Sequence, residues 1–253
     1  MQIGITFASV HEEYEKSILG ALDGISNEGY KLMEIAPGDN IGREELKNAL
    51  NERGITVLAG HFGIDLFRDE KKFEEAIEFA EFFGMTTLII PWCYPDSIKD
   101  YESTVKTAKE LDDIAAKVKE RGFDLLFHNH WMEFEDVYEG KCVEDILFEN
   151  TSLLGFELDI GWAFAGGCDV VPYIRKLGNR LKILHIKDIH PDDMRLPVEI
   201  GTGAVNIKEC LDAASEIGVK YGIVEQDVSA DKRELPAFES IRLSRENLKK
   251  MGY

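Results

Sequence analysis

The sequence predicts an α/β chain folded as a single (β/α)8 barrel over residues 1–253, and three observations carry that expectation. Short apolar runs alternate with segments of helical periodicity, eight of each. That count suits a closed barrel of parallel strands, where an open doubly wound sheet would usually stop earlier. The length of 253 residues is close to one such domain and too short to favour two ordinary ones. Finally, four runs stop abruptly in residues able to bind a metal or move a proton: FDLLFHNH (123–130), FELDIGW (156–162), LKILHIKD (181–188) and YGIVEQD (221–227). An uninterrupted apolar run suits a strand covered on both faces, as in parallel sheets. The polar residues then lie at the carboxyl ends of strands, which meet on one face if the barrel closes.

In chain order, QIGITFAS (2–9) reads as the first strand and YEKSILGALDGISNEG (14–29) as the helix after it, closed by Gly29. YKLMEIAP (30–37) is the second strand, followed by a helix, REELKNALNERG (43–54), that ends at Gly54. ITVLAGHFGI (55–64) is the third strand and carries His61 at its end. DEKKFEEAIEFAEFFG (69–84) has acids in its first turn, favourable to the helix dipole, and a terminal glycine. TTLIIPWCY (86–94) is the fourth strand, with Pro91 and Trp92 already in the loop above it.

The second half repeats the scheme. SIKDYESTVKTAKELDDIAAKVKERG (97–122) is the longest helix, and Phe123 opens the fifth strand. CVEDILFENTSL (142–153) leads to the sixth strand, DVVPYIRKLGNR (169–180) to the seventh, NIKECLDAASEIG (206–218) to the eighth, and ELPAFESIRLSRENLKKMG (234–252) closes the chain. No GxGxxG follows the first strand, which disfavours a dinucleotide fold. The non-helical stretches at about 131–141 and 190–205 should lie over the same face as the polar strand ends, where long loops are often functional.

Composition narrows the function. At 44% hydrophobic residues the chain can bury a large core. It contains no apolar run of the ~18 residues or more that a membrane span needs. The start, MQIGITFASV, lacks the pattern of a signal peptide. Cys93, Cys142, Cys168 and Cys210 stand far apart with no CxxC pair, which suits reduced thiols and a cytoplasmic protein. The formal net charge of −19 repels phosphodiester backbones, so nucleic acid is not an expected partner, and it attracts divalent cations to any carboxylate-lined cleft. A plain solubility adaptation would give the same charge.

Alternation puts His128 and His130 on one side of the fifth strand and Asn129 on the other. Asp159 ends the run Phe156-Glu157-Leu158, and a buried carboxylate there needs a cation, a metal or several donors, unless it merely caps the following turn. His185 sits in an apolar strand with Lys187 two residues on, and Glu225 follows Gly222-Ile223-Val224. Mixed carboxylate and imidazole groups suit one divalent ion, Mn²⁺, Co²⁺, Fe²⁺, Zn²⁺ or Mg²⁺, while the lack of thiols excludes a cysteine-type structural zinc site. An ion with open positions polarises a carbonyl and stabilises an enediolate, and a nearby carboxylate or imidazole serves as base. Such machinery isomerises, epimerises or dehydrates a hydroxy-ketone such as a sugar or inosose.

At these residues the chain resembles a known group. HNHWMEF (128–134), ELDIGWAFAGGCDVVPYIRKLGNRLKILHIKD (157–188), PVEIGTGAVN (197–206) and GIVEQD (222–227) resemble the sugar phosphate isomerase/epimerase group of the xylose-isomerase-like TIM barrels, which also include inosose dehydratase, tagatose 3-epimerase and endonuclease IV. The resemblance implies a divalent metal held by one residue from each of strands five to eight, falling on His128, Asp159, His185 and Glu225. In the epimerases the strand-five ligand is a glutamate that also acts as base. Here His128 stands at that place, with Glu133 as the alternative ligand or a contact to a substrate hydroxyl. The HNH wording is closer to inosose dehydratase, and loss of one glutamate weighs against symmetrical two-base epimerisation. Endonuclease IV needs more ligands than the six histidines here readily supply. The resemblance therefore implies a sugar isomerase or epimerase acting through an enediolate, with a dehydratase as the second reading and a non-catalytic sugar- or metal-binding barrel as the third. The expected partner is a small carbohydrate; barrels of this kind commonly associate, but no stretch marks an interface for a homo-oligomer.

The proton carriers expected are His128 or Glu225, with Lys187 or His130 assisting. Lys187 either steadies a substrate oxygen or pairs with Asp188 or another acid. Trp162 and Trp92 are candidates for an apolar wall against a sugar ring, or for core packing. His61 is a candidate for the barrel mouth, Glu34 for a buried substrate contact or a partner to a cation, and His11 and His190 read as loop residues. Gly201-Thr202-Gly203 reads as a plain turn, with a backbone phosphate cradle as the alternative.

Overall fold

Side chains alternate across each strand, so in a closed sheet every second residue points at the barrel axis and its neighbours pack against the surrounding helices. The computed structural model, which describes residues 1–38, 41–229 and 231–253, closes such a sheet. Its strands are β1 (Gln2–Thr6), β2 (Leu32–Ile35), β3 (Thr56–His61), β4 (Thr87–Ile90), β5 (Asp124–His128), β6 (Gly155–Asp159), β7 (Leu181–Ile186) and β8 (Tyr221–Val224). Each strand pairs in parallel with the next, and β8 returns to β1 with Gln2 opposite Tyr221 and Ile5 opposite Val224, so the expected (β/α)8 barrel is the fold.

The interior has two layers. Leu32, Leu58, Ala59, Ile89, Leu126, Ile183 and Ile223, drawn from six strands, form an apolar cluster of their own. One alternation further along the same strands stand Glu34, His61, His128, His185 and Glu225. The apolar layer thus plugs the barrel and a polar layer sits directly above it. Gly155 belongs to this packing: a Cβ there would meet Leu126 Cδ2 at 2.5 Å, and only a missing side chain admits the leucine.

Most strands are shorter than their apolar runs. The first helix divides at Ser17 into His11–Lys16 and Ile18–Asn27, because the Ser17 backbone is extended and its hydroxyl accepts from the Gly20 N–H as the cap of the second piece. Asp69 caps Glu70–Phe83, which ends on Gly84 at φ +70°, and Asp100 with Ser103 forms a capping box for Tyr101–Glu120. The stretches expected as irregular loops carry structure instead. Met132–Glu135 is a short helix, Val137–Tyr138 pairs with Lys141–Cys142, and Asp188–His190 pairs with Asp193–Val198. A short helix at Ile160–Ala165, which the sequence reading did not assign, follows β6 directly. Among the described residues no helix is long and apolar enough to cross a membrane.

Candidate metal centre

The polar layer converges on His185. Its Nε2 lies 2.9 Å from Glu34 Oε2 and 3.2 Å from Glu157 Oε2, while its Nδ1 lies 3.2 Å from Glu225 Oε2. Glu157 collects three imidazoles on one oxygen: His128 Nδ1 at 3.0 Å, His185 Nε2 at 3.2 Å and His61 Nε2 at 3.3 Å. His61 Nε2 is also 3.3 Å from Glu34 Oε2, and its ring stacks at 19° on that of His185. Glu34, His128, Glu157 and His185 are all at most 2% exposed. Nothing but opposite charge and hydrogen bonding makes such burial tolerable.

The protonation states follow from this packing. Burial alone would lower His185, but the charges of Glu157, Glu225 and Glu34 outweigh it and lift the imidazole well above its usual range. His61 is raised in the same way to about 10, burial being overcome by hydrogen bonds and charge from Glu157 and Glu34. Burial would raise Glu157, yet His185, His128 and His61 hold it well below the ordinary carboxylate range. Glu225 is also depressed, because Lys187 and His185 outweigh its burial.

A second ion cluster adjoins the first. Lys187 Nζ, fully buried, sits 2.9 Å from Asp159 Oδ2, 3.0 Å from Glu225 Oε2 and 2.9 Å from Asp227 Oδ1, and 4.3 Å over the Trp162 ring. Burial opposes its charge, but Asp159, Asp227 and Glu225 raise its pKa above the usual lysine value. Asp159 is held on both sides: its Oδ1 accepts from the Trp162 N–H at 2.8 Å as the cap of the helix after β6, and its own N–H donates to Asn129 Oδ1 at 2.9 Å. The cap that sequence offered as the alternative reading of Asp159 therefore coexists with its place in the cluster.

Among the described residues two sets of four present donor atoms within 4.8 Å of one another: His128, Asp159, His185 and Glu225, and Glu34, His61, Glu157 and His185. The first is the set named from the sequence. It fits a divalent ion by donor chemistry as well as spacing. Glu157 occupies His128 Nδ1, leaving Nε2 for a metal, and Glu34 and Glu157 occupy His185 Nε2, while its Nδ1 faces Glu225, a fellow member of the set. A carboxylate behind each ligating imidazole is the usual means of fixing its tautomer.

Glu157 was missed by sequence reasoning, which took it for part of a buried strand. The available signal was its position two residues before Asp159, hence on the same face. Asp227, two beyond Glu225 and past the end of β8, was missed as well. Glu34 and His61 both stand in the polar layer, with His61 Nε2 3.3 Å from Glu34 Oε2.

Other expectations need correction. Glu133 does not reach the quartet: it is 1% exposed and its Oε2 accepts the His130 backbone N–H at 2.8 Å, so the short helix turns it towards the loop it supports. His130 packs edge-on to His128 at 5.0 Å between ring centres, and burial together with the charges of His128 and Lys187 lowers it to about 3, leaving it neutral. Trp162 is buried beneath Lys187 and beside Trp131, at 4.9 Å between rings. Trp92 is neither core nor wall to the centre, being 43% exposed beside Tyr94, since the chain leaves the barrel at Pro91. Of the two acid pairings open to Lys187, it makes that with other acids, Asp159, Glu225 and Asp227, and not that with Asp188. The Asp188 carboxylate instead accepts the backbone N–H groups of Ile189, Gly201, Gly203 and Val205 at 2.8 to 3.0 Å, so the Gly201–Gly203 amides are spent on an internal acid. His11 opens a helix and His190 lies in a hairpin strand.

A cavity of about 230 Å³ is lined by Thr6, Phe7, His11, Tyr14, Glu34, His61 and Glu225, among others. Glu225 is the one member of the metal quartet that lines it.

A parallel eight-stranded barrel with buried imidazoles and carboxylates gathered at the carboxyl ends of its strands defines a class of protein, and comparison with known proteins gives the family. The model of the xylose isomerase-like TIM barrel family matches residues 22–250, and the chain belongs to that family. It is 26% identical over 180 residues to an inosose dehydratase of Clostridium perfringens strain 13, a match taking in 64% of this chain and 60% of that protein's length. A sugar phosphate isomerase/epimerase of Parabacteroides distasonis superposes with a TM-score of 0.85 at 23% identity, covering 98% of this chain and 93% of the other. The IOLI protein with a bound zinc atom superposes with a TM-score of 0.70 at 20% identity, covering 99% and 98%. These structural likenesses concern the fold.

Proposed function

We propose that the protein is a divalent-metal-dependent sugar isomerase or epimerase that removes a proton beside the carbonyl of a small keto-sugar or related polyol. The observation that carries this reading is the convergence of His128, Asp159, His185 and Glu225, from four consecutive strands, with donor atoms within 4.8 Å of one another. These four residues would hold the ion, and the structurally similar IOLI protein, which has a bound zinc atom, supports a metal. When bound, the ion polarises the substrate carbonyl and lowers the cost of negative charge on its oxygen.

The remaining work belongs to the chain. Glu225 is the proton carrier best placed to act, because it lines the cavity and is ionised, whereas His128 is 2% exposed with Nδ1 committed to Glu157. Lys187 holds the Asp159 and Glu225 carboxylates together and offsets their charge. His130, neutral and with Nδ1 free of any hydrogen bond, is available to a substrate hydroxyl.

A second reading, dehydration of an inosose or 3-keto sugar, is favoured by the match to inosose dehydratase and by a histidine at the end of β5, where the resemblance implies a glutamate in two-base epimerases. Loss of the α-proton is common to both. The test is exchange of substrate C–H protons in deuterated water across a panel of keto-sugars and inososes with Mn²⁺ or Co²⁺, following isomers and loss of water together. Metal-dependent exchange is the expected result; a panel that binds without any exchange would reduce the protein to a sugar-binding barrel.

A further inference from the structure

The cavity holds two polar atoms that the fold leaves without partners. Thr6 Oγ1 and Glu34 Oε1 are both buried, both without a hydrogen bond, and both residues line the cavity. They are also neighbours, since Thr6 and Glu34 are register partners between β1 and β2. Buried polar groups in native structures nearly always have partners, so an adjacent orphaned pair facing a cavity calls for a ligand that supplies them. The chemistry of the pair is specific. A carboxylate oxygen only accepts, and a threonine hydroxyl can donate or accept, so together they match hydroxyl groups on neighbouring carbons of a polyol.

The same cavity is hostile to a phosphate. No lysine or arginine is among its lining residues, whereas Glu34 and Glu225 are. Two cationic groups of the polar layer are already opposed: His61 by Glu34 and Glu157, each at 3.3 Å, and Lys187 by three carboxylates within 3.0 Å. His11 at the outer rim faces Glu15 at 3.3 Å. The glycine amides near 201–203, the available backbone cradle, are filled by Asp188. The volume of about 230 Å³ lies below the ~300–1,000 Å³ of sites for drug-sized ligands, which suits a small compound.

We infer that Thr6 and Glu34 form a hydroxyl-reading subsite that binds neighbouring hydroxyls of an unphosphorylated polyhydroxy carbonyl compound and turns away its phosphate ester. The subsite adjoins Glu225, since Ile5 is the register partner of Val224 and Thr6 follows it at the strand end. This rests on the proposed keto-sugar reading of the same site, and deepens it by naming the substrate as neutral.

Calorimetric titration of the Mn²⁺-loaded protein with matched pairs, fructose against fructose 6-phosphate and inositol against inositol 1-phosphate, tests it. The free member of at least one pair should bind at least a hundredfold more tightly than its ester. Thr6→Val should weaken that binding about tenfold, the size of one buried hydrogen bond left unmade, while Thr6→Ser restores it and metal content stays constant in both. Equal or tighter binding of the phosphate, unchanged affinity in Thr6→Val, or no binding by any pair would overturn the inference. Binding with the expected preference but without proton exchange would sink the catalytic reading alone.

Discussion

Replacing Glu157 by glutamine isolates what the deeper carboxylate does for the metal quartet. Its Oε2 takes His128 Nδ1, His185 Nε2 and His61 Nε2 at 3.0, 3.2 and 3.3 Å. For His185 the loss is partial, because Glu34 remains 2.9 Å from the same nitrogen. For His128 it is complete, since no other carboxylate is bonded to Nδ1 among the described residues. Removing such a supporting group costs roughly 10- to 100-fold in metal affinity, or about 1.4 to 2.7 kcal/mol. Glutamine can still accept from one imidazole through its oxygen, which puts Glu157→Gln near the lower figure. Glu157→Leu, which leaves His128 Nδ1 unanswered and His61 and His185 to Glu34, belongs near the upper one with a lower melting temperature as well. Affinity is read by competition with a chromophoric chelator for Mn²⁺ or Zn²⁺, with circular dichroism to confirm the fold. An affinity within twofold of wild type in a folded Glu157→Gln protein would refute the idea that Glu157 orients the ligands.

Lys187→Met removes a buried cation from three carboxylates, and uncompensated buried charge of this kind costs about 3 to 5 kcal/mol, so the denaturation midpoint should fall sharply in chelator and recover in part with Mn²⁺. No dependence on the metal would argue that the ion binds elsewhere. The pH dependence has a definite sign. His61 and His185 are raised, so their stabilising contribution is full below the ordinary histidine value of about 6.5 and is lost as pH climbs, for His61 towards about 10. Glu157 and Glu225 are lowered, so theirs is present above the ordinary value near 4.5 and is lost only in stronger acid. Melting temperatures of metal-free protein should therefore drop between pH 6.5 and 10, and less so with metal in place of the His185 proton; a flat or rising metal-free curve would contradict these protonation states.

Much of this was legible because a parallel barrel writes its strands as apolar runs and its chemistry at their ends. His128, Asp159, His185 and Glu225 each interrupt or end such a run and meet within 4.8 Å. Glu157 was not legible, because a single acid between Phe156 and Leu158 looks like an exception to a buried strand until three imidazoles are seen to converge on it. Asp188 posed a similar difficulty: beside Lys187 it suggests an ion pair, yet adjacent residues of an extended chain point apart, and each found separate partners. Trp92 and Glu133 depend on how loops leave the barrel, which alternation within a strand does not specify. The break at Ser17 turns on one cap outweighing the helical periodicity around it.

The metal content of Asp159→Asn combined with Glu225→Gln, measured against wild type by atomic emission after dialysis in Mn²⁺, bears most directly on the proposed centre. One equivalent per chain in the wild type and almost none in a folded double variant is the predicted result; full occupancy of the variant would place the ion away from these four residues.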